Sequence, residues 1–333
     1  MRGGSRRRLA FAVLAVVASL GLAGALFSVD AQQGSPRRIG VLLSLIGPDS
    51  KEASAFRQGL RDAGYMEGRH VVIDWRSANG DYDRLPPLAS DLVKSKVDVI
   101  VADITAATQA AKRATSSIPI VMALVADPIG SGLVANLAQP GGNVTGLSIM
   151  LAELSVKRLE LLKEAIPGLS RIGVVWNPAT PWHARAVENL KATAARLGIE
   201  MSLARVRTPE EIGPAVAAIG KANAQAVYVV DGPPLFAHRA AFLKLTTAAR
   251  LPVISGERQY TDDGGLISYG PNYEDQLRRA AEYVDKILRG VKPSNLPIQQ
   301  PTKFVVVANL KTARALSIAI PESVLLRADE VIR

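Results

Sequence analysis

Short apolar runs and amphipathic stretches alternate along most of this chain. Residues 39–43 form an unbroken apolar run, which suits a strand covered on both faces. Phe56, Leu60 and Ala63 then recur at helical spacing and stop at Gly64, which can take the left-handed conformation that ends helices. The alternation continues with a strand at 71–75, a helix at 82–94, a strand at 97–102, a helix opening at Thr105 and a strand at 118–125. A second series follows, with strands at 172–176, 199–206 and 225–230 and helices at 184–197, 209–221 and 234–250.

The two series share an offset. Ile118 lies 80 residues after Arg38, and Leu251 lies 80 residues after Arg171; each starting arginine opens an Arg-Ile-Gly-Val run. Such a match in the same order predicts a duplicated βαβαβαβ unit. Alternating strands and helices imply parallel sheets, right-handed crossovers and helices on both faces, so the expected class is α/β with two lobes. Residues 118–148 then hold the fourth strand of the first unit and the passage into the second. The glycine-bracketed segments 141–148 and 264–270 read as hinge strands, with ordinary loop strands as the alternative. A helix over 274–288 is expected to return to the first lobe, and 298–307 to cross once more. The expected division is 37–147 with 271–300 in one lobe and 148–270 with 301–333 in the other.

Composition sharpens this picture. With 48% hydrophobic and 21% charged residues over 333 positions, the chain reads as globular and long enough for two domains. Cysteine is absent, which removes disulfides, thiol catalysis and cysteine-bound zinc. Residues 1–31 read as a secretory signal: Arg2, Arg6, Arg7 and Arg8, an apolar run from 9 to 27, and Val29-Asp30-Ala31 as a cleavage site. Ser5-Arg6-Arg7-Arg8-Leu9 also loosely matches a twin-arginine signal. Cleavage would give an exported protein in the periplasm; retention would leave a short membrane anchor. The net charge of +10 becomes +7 once the four arginines and one aspartate of 1–31 are gone. No run of five basic residues follows residue 31 and only 5% of residues are aromatic, so no nucleic-acid stripe is expected.

In open parallel sheets ligands bind beyond the carboxyl ends of the strands, and two such sheets place the site in the cleft between them. The polar residues just after the apolar runs are Ser44, Asp103, Thr105, Asp127, Asn177, Asp231 and Glu257. Helix capping is the competing role, above all for Thr105 and Asp127. Ala106 and Ala107 leave the first turn of the third helix open to an approaching group, and its free N–H groups favour an anion such as a carboxylate. An ammonium on the same ligand would need an acid, with Asp231 or Glu257 as the candidates.

Reaction signatures are sparse. Gly130-Ser131-Gly132 with Ala135 matches the dinucleotide fingerprint in form, but it follows the fourth strand of its unit and not the first. No P-loop, zinc-protease or nucleophile-elbow motif occurs. His70, His183 and His238 are isolated in sequence, so surface or capping roles are expected of them. No catalysis, metal or cofactor is expected.

A set of motifs carries a family resemblance. Arg38-Ile39-Gly40-Val41, the run from Phe56 to Gly68, Ile118-Pro119-Ile120-Val121, Asp127 to Val134, Pro140 to Gly146, Tyr269 to Tyr273 and the tail from Ile320 to Glu330 resemble the ABC-importer substrate-binding proteins of the tryptophan/tyrosine uptake type. The resemblance implies a type I periplasmic-binding-protein fold: two Rossmann-like lobes, three hinge crossings, and a small-molecule ligand held in the cleft for membrane permease subunits. A monomer is expected. In aromatic-amino-acid members the loop matching 104–109 has Pro after Thr and contacts the ligand; here that place is Ala106. Asn177-Pro178 and Asp231-Gly232-Pro233 also depart from the pattern of those members, which opens the question of ligand specificity. A ligand-sensing partner of a membrane receptor and a two-Rossmann transferase or hydrolase are the alternatives.

Overall fold

The apolar run at 39–43 becomes the inner part of β1 (Arg37–Leu43), buried from Ile39 onward. The computed structural model describes residues 35–333, so the signal expected over 1–31 lies outside the described residues. β1 stands between β2 (Val71–Ser77) and β3 (Val99–Ile104), followed by β4 (Ile120–Val125) and β5 (Val144–Ser148) in the order β2-β1-β3-β4-β5. All of these pairings are parallel. Inner strand β4 is buried throughout, whereas edge strand β2 alternates and carries Asp74 and Arg76; β5, at the other edge, is buried because residues 296–299 lie along it. A strand inside a covered sheet has two apolar faces to satisfy; an edge strand has fewer.

Helices α1 (Lys51–Asp62), α2 (Leu85–Lys94) and α3 (Thr105–Ala114) connect these strands. Ser50 starts α1 by accepting a hydrogen bond from the Ala53 N–H at 3.1 Å. On one face of the sheet, Leu42, Ile100 and Met122 pack with Leu92, Ala107 and Ala111 of α2 and α3. The opposite face carries Phe56 and Leu60 of α1.

The second sheet repeats the plan. It contains β6 (Arg171–Trp176), β7 (Glu200–Arg205), β8 (Ala226–Val229), β9 (Val253–Ser255), β10 (Ile267–Pro271), β11 (Phe304–Asn309) and β12 (Glu330–Ile332), in the order β12-β11-β10-β9-β8-β6-β7. From β7 to β10 this is the strand order of the first sheet, as a duplicated unit requires. Its helices are α4 (Leu151–Ala165), α5 (Pro181–Leu197), α6 (Ile212–Lys221), α7 (Pro233–Ala237), α8 (Arg239–Ala248) and α9 (Arg258–Asp262).

One expectation needs correction and another is refined. The second sheet is not wholly parallel, because β11 runs antiparallel to β10, pairing Pro271 with Phe304 and Ile267 with Ala308. The chain reaches β11 after a detour through the first lobe and enters the sheet from the opposite end. The glycine-bracketed segments are sheet strands along their length, β5 and β10, the fifth of each repeated unit, and the crossings begin where they end. Their glycines serve close approach. A Cβ on Gly146 would lie 2.1 Å from the Met122 carbonyl oxygen, and one on Gly270 would lie 1.9 Å from that of Gly256.

The chain passes between the sheets just beyond these strands. After β5, Met150 takes a left-handed φ of 48° and opens α4. After β10, Asn272 caps α10 (Tyr273–Leu288), which packs against α1 of the first lobe. Residues 296–303 then return to β11. The passages lie side by side: the Ser148 N–H donates to the Gln299 carbonyl at 2.9 Å, and the Asn272 N–H donates to the Lys303 carbonyl at 3.2 Å. The sequence following β11 completes the second lobe with α11 (Leu310–Ala315) and α12 (Glu322–Leu325).

Candidate functional site

Asp103 closes the carboxyl end of the first sheet. Its Oδ2 accepts the Ser44 N–H at 2.6 Å, and its Oδ1 accepts the Ser44 hydroxyl at 2.8 Å and the Ile104 N–H at 2.7 Å. One carboxyl group thus ties the end of β1 to that of β3 and orients the start of α3. Burial pushes the Asp103 pKa up to about 6, and the hydrogen bonds it accepts oppose that shift. Thr105 is the first residue of α3 and not its cap. Ile104 occupies the cap position and supplies no side-chain hydrogen bond, so Thr105 and Ala106, both partly exposed, sit at an uncapped helix start.

The second sheet ends on a denser network. Asp231, 1% exposed, follows β8. Its Oδ2 meets Arg158 Nη1 at 2.8 Å, its Oδ1 accepts the Ser255 hydroxyl, and the Gly256 N–H lies 2.9 and 3.0 Å from its two oxygens. Arg158, on α4 and also 1% exposed, donates from Nε to the Tyr269 carbonyl at 2.9 Å and from Nη1 to the Tyr228 hydroxyl at 3.3 Å. Gly256 has no room for a side chain, since a Cβ there would lie 2.2 Å from Arg158 Nη2.

Asn177 and His183 join this network by another route. His183 Nδ1 accepts the Asn177 N–H at 3.0 Å, which leaves Nε2 as the protonated nitrogen, donating to the Asp231 carbonyl at 2.8 Å. The imidazole is buried, which excludes the surface role and leaves the other expected one, satisfying backbone groups, and desolvation lowers its pKa to about 4. The Asn177 side chain accepts the Ala179 N–H at 2.9 Å and shapes the turn into α5.

Glu257 differs from its neighbours. Its N–H donates to Ser255 Oγ at 3.0 Å, but its Oε2 is buried with no hydrogen-bond partner among the described residues. Burial, with the Asp231 charge as the second cause, raises its pKa well above that of an ordinary glutamate. Tyr82, just before α2 in the first lobe, has its pKa raised by burial and by the charges of both Asp103 and Glu257. Asp103 and Glu257, at the carboxyl ends of the two sheets, thus both act on one phenol.

Asp127 stands apart from this group. Its Oδ1 accepts the Gly130 N–H at 2.8 Å, a turn-capping role, and its Oδ2 lies 3.9 Å from Arg185 of α5. Ser44, Asp103, Thr105 and Ala106 are thus gathered on one side of the cleft, and Asn177, Asp231 and Glu257 on the other. Sequence reasoning missed Arg158, His183 and Tyr82. Arg158 left a trace: it lies in the apolar stripe of α4 with Leu154 and Leu162, where a cation demands a partner. A groove of about 230 Å³ lined by Arg57, Leu60, Tyr65 and Met66 lies on the flank of α1, and none of the candidate residues line it. Among the described residues no group of three or more His, Cys, Asp or Glu is placed to hold a metal ion, and no helix is long and apolar enough to cross a membrane.

Two lobes of the same strand order, side-by-side crossings and polar residues at the carboxyl ends of both sheets define a two-lobed binding protein of the type I periplasmic class. Residues 38–332 match the family model described as ABC transporter substrate binding protein, and the chain belongs to that family. It is 31% identical over 267 residues to a tyrosine-binding protein of Clostridioides difficile, covering 80% of this chain and 76% of that one. The fold matches the L-Trp complex of an ABC domain from Streptococcus pneumonia with a TM-score of 0.81 at 28% identity, over 90% of this chain and all of that one. A ligand-free, open substrate-binding protein with adhesive properties from Clostridium difficile matches with a TM-score of 0.71 at 28% identity, over 89% of this chain and 99% of that one.

Proposed function

We propose that this chain is the exported, periplasmic solute-binding component of an ABC importer, capturing an amino acid or another small carboxylate between its lobes and delivering it to membrane permease subunits. The observation that carries this reading is the pair of polar strand ends: Ser44, Asp103 and the uncapped first turn of α3 at the first sheet, and Asp231 with Glu257 at the second. The N–H groups at Thr105 and Ala106 suit a carboxylate, with the Ser44–Asp103 pair holding that helix start in place. Asp231 is spent on Arg158, Ser255 and Gly256, which leaves Glu257 as the acid with a free oxygen.

The two bodies that move are 37–147 with 271–300 and 148–270 with 301–333. A thermal-shift screen of amino acids, carboxylates, amides and purines, followed by solution scattering on the best compound, tests the reading. Stabilisation of about 2.7 kcal/mol at 100 times the dissociation constant, with contraction in scattering, is expected. No shift with any compound, or an unchanged scattering profile at saturation, refutes it.

A further inference from the structure

Two ion pairs among the described residues join the bodies proposed to move, and they differ in place. Lys303 and Asp275 meet at 2.8 Å within the passages themselves. Arg185 of α5 lies outside them: its Nη2 is 2.9 Å from Glu153 Oε1 of its own lobe, and its Nη1 is 3.9 Å from Asp127 Oδ2 of the other. One guanidinium is thus shared by an acid on either side of the first passage, residues 148–150, where Met150 takes its left-handed φ of 48°.

The three residues are not equally free. Asp127 is set by its own turn: its Oδ1 accepts the Gly130 N–H at 2.8 Å, and the Ser131 hydroxyl donates to its carbonyl at 2.6 Å. A Cβ on residue 130 would lie 2.2 Å from Oδ2, so glycine there is what lets the carboxyl group rest against the turn. Arg185 and Glu153 travel together, because Asn189, one turn further along α5, donates to the Ala152 carbonyl of α4 at 2.9 Å. Rotation of one lobe against the other about the first passage therefore keeps the Arg185–Glu153 contact and changes the Arg185–Asp127 distance. At 3.9 Å the second contact is the looser one, and a guanidinium that leans toward one acid leaves the other.

We propose that Arg185 is a positioning residue for lobe closure: its pairing with Asp127 favours the approach of the lobes, and Glu153 competes for the same guanidinium and so favours the open arrangement. This rests on the two moving bodies proposed above and on no ligand chemistry. The Arg185 side chain is 59% exposed, so the pair biases the equilibrium and does not lock it. An exposed ion pair shifts a population ratio by up to about fivefold. Affinity follows that ratio, because a ligand held only by the closed form gains or loses with the fraction of molecules able to close.

The experiment measures the distance between the lobes. The chain has no cysteine, so nitroxides at Ser54→Cys on α1 and Ala217→Cys on α6, both exposed positions, are the only labels. Pulsed electron resonance gives the distance distribution for the labelled parent, Asp127→Asn, Arg185→Gln, Glu153→Gln and the Asp127→Asn/Arg185→Gln double variant. Asp127→Asn keeps an oxygen for the Gly130 N–H, so the turn stays and the charge goes. Asp127→Asn and Arg185→Gln should each lower the closed-to-open ratio by up to about fivefold, the double variant by no more than either single, and Glu153→Gln should raise it. Salt at about 1 M, where charges are screened beyond about 3 Å, should bring the parent to the ratio of Asp127→Asn. In calorimetry with the L-amino acids, every probe that the parent binds should weaken by one common factor in Asp127→Asn and Arg185→Gln, because the pair touches no probe. Distributions equal to the parent's in both of these variants, or Glu153→Gln opening as they do, overturn this proposal alone. Factors that differ from probe to probe place Asp127 or Arg185 against the ligand and also overturn it. A single parent distance that no salt, variant or probe moves removes the moving bodies, and this proposal with them. If the parent binds no probe while its distances respond to the variants as expected, the amino-acid reading falls and this proposal stands.

Discussion

Replacing Arg158 by Met tests whether the second lobe is held by a buried charge pair. Arg158 and Asp231 meet at 2.8 Å with side chains 1% and 0% exposed, so solvent does not screen the interaction. Removing one partner of such a pair costs about 3–5 kcal/mol, because the other charge stays buried and uncompensated. Arg158→Met also strips the donor from the Tyr269 carbonyl at 2.9 Å, which places it toward the upper limit, about 5 kcal/mol. Asp231→Asn keeps an oxygen for Ser255 and Gly256, which places it nearer about 3 kcal/mol. The double variant no longer buries a lone charge and should cost less than the sum of the singles by about 2 kcal/mol. Urea unfolding of the four proteins, compared at a common m-value, measures each term. Single losses below about 1 kcal/mol, or strictly additive losses, would refute a buried, mutually dependent pair.

His183 and Asp103 predict opposite pH trends. The depressed pKa of His183, about 4 against 6.5 unfolded, gives stability that is complete above pH 6.5 and lost as pH falls toward 4, about 3 kcal/mol in all. The raised pKa of Asp103, about 6 against 3.8, gives stability present below pH 3.8 and lost as pH rises through 6. From pH 4 to 6.5 the parent should gain stability relative to His183→Gln; parallel profiles would contradict the neutral, buried imidazole. Gly59→Ala should destabilise by about 1–3 kcal/mol, since its Cβ would lie 2.3 Å from the Arg278 carbonyl of α10. The control Gly220→Ala in α6 meets nothing within 4 Å and should gain up to about 1 kcal/mol; equal effects in thermal unfolding would dispose of the tight α1–α10 crossing. Thr105→Val should weaken the best carboxylate probe up to about tenfold by calorimetry, and an unchanged Kd would remove the hydroxyl from the site.

The alternation of apolar runs with amphipathic stretches and the offset between the Arg-Ile-Gly-Val runs determined the α/β class and the duplication by themselves. Both are local or periodic properties: a doubly covered strand needs a continuous apolar run, and a helix needs its stripe. The polar residues after those runs were legible for the same reason, because strand ends are where a parallel sheet exposes chemistry. Their partners were not legible. Arg158 and Asp231 are 73 residues apart, and only the packing of α4 beneath β8 and β10 brings them together. Tertiary structure alone decided that Asp231 is consumed by its neighbours while Glu257 keeps a free oxygen, because both are acids placed just after a strand. It also set the direction of β11: an apolar run specifies a strand, but which end of the sheet the chain enters depends on where α10 has taken it.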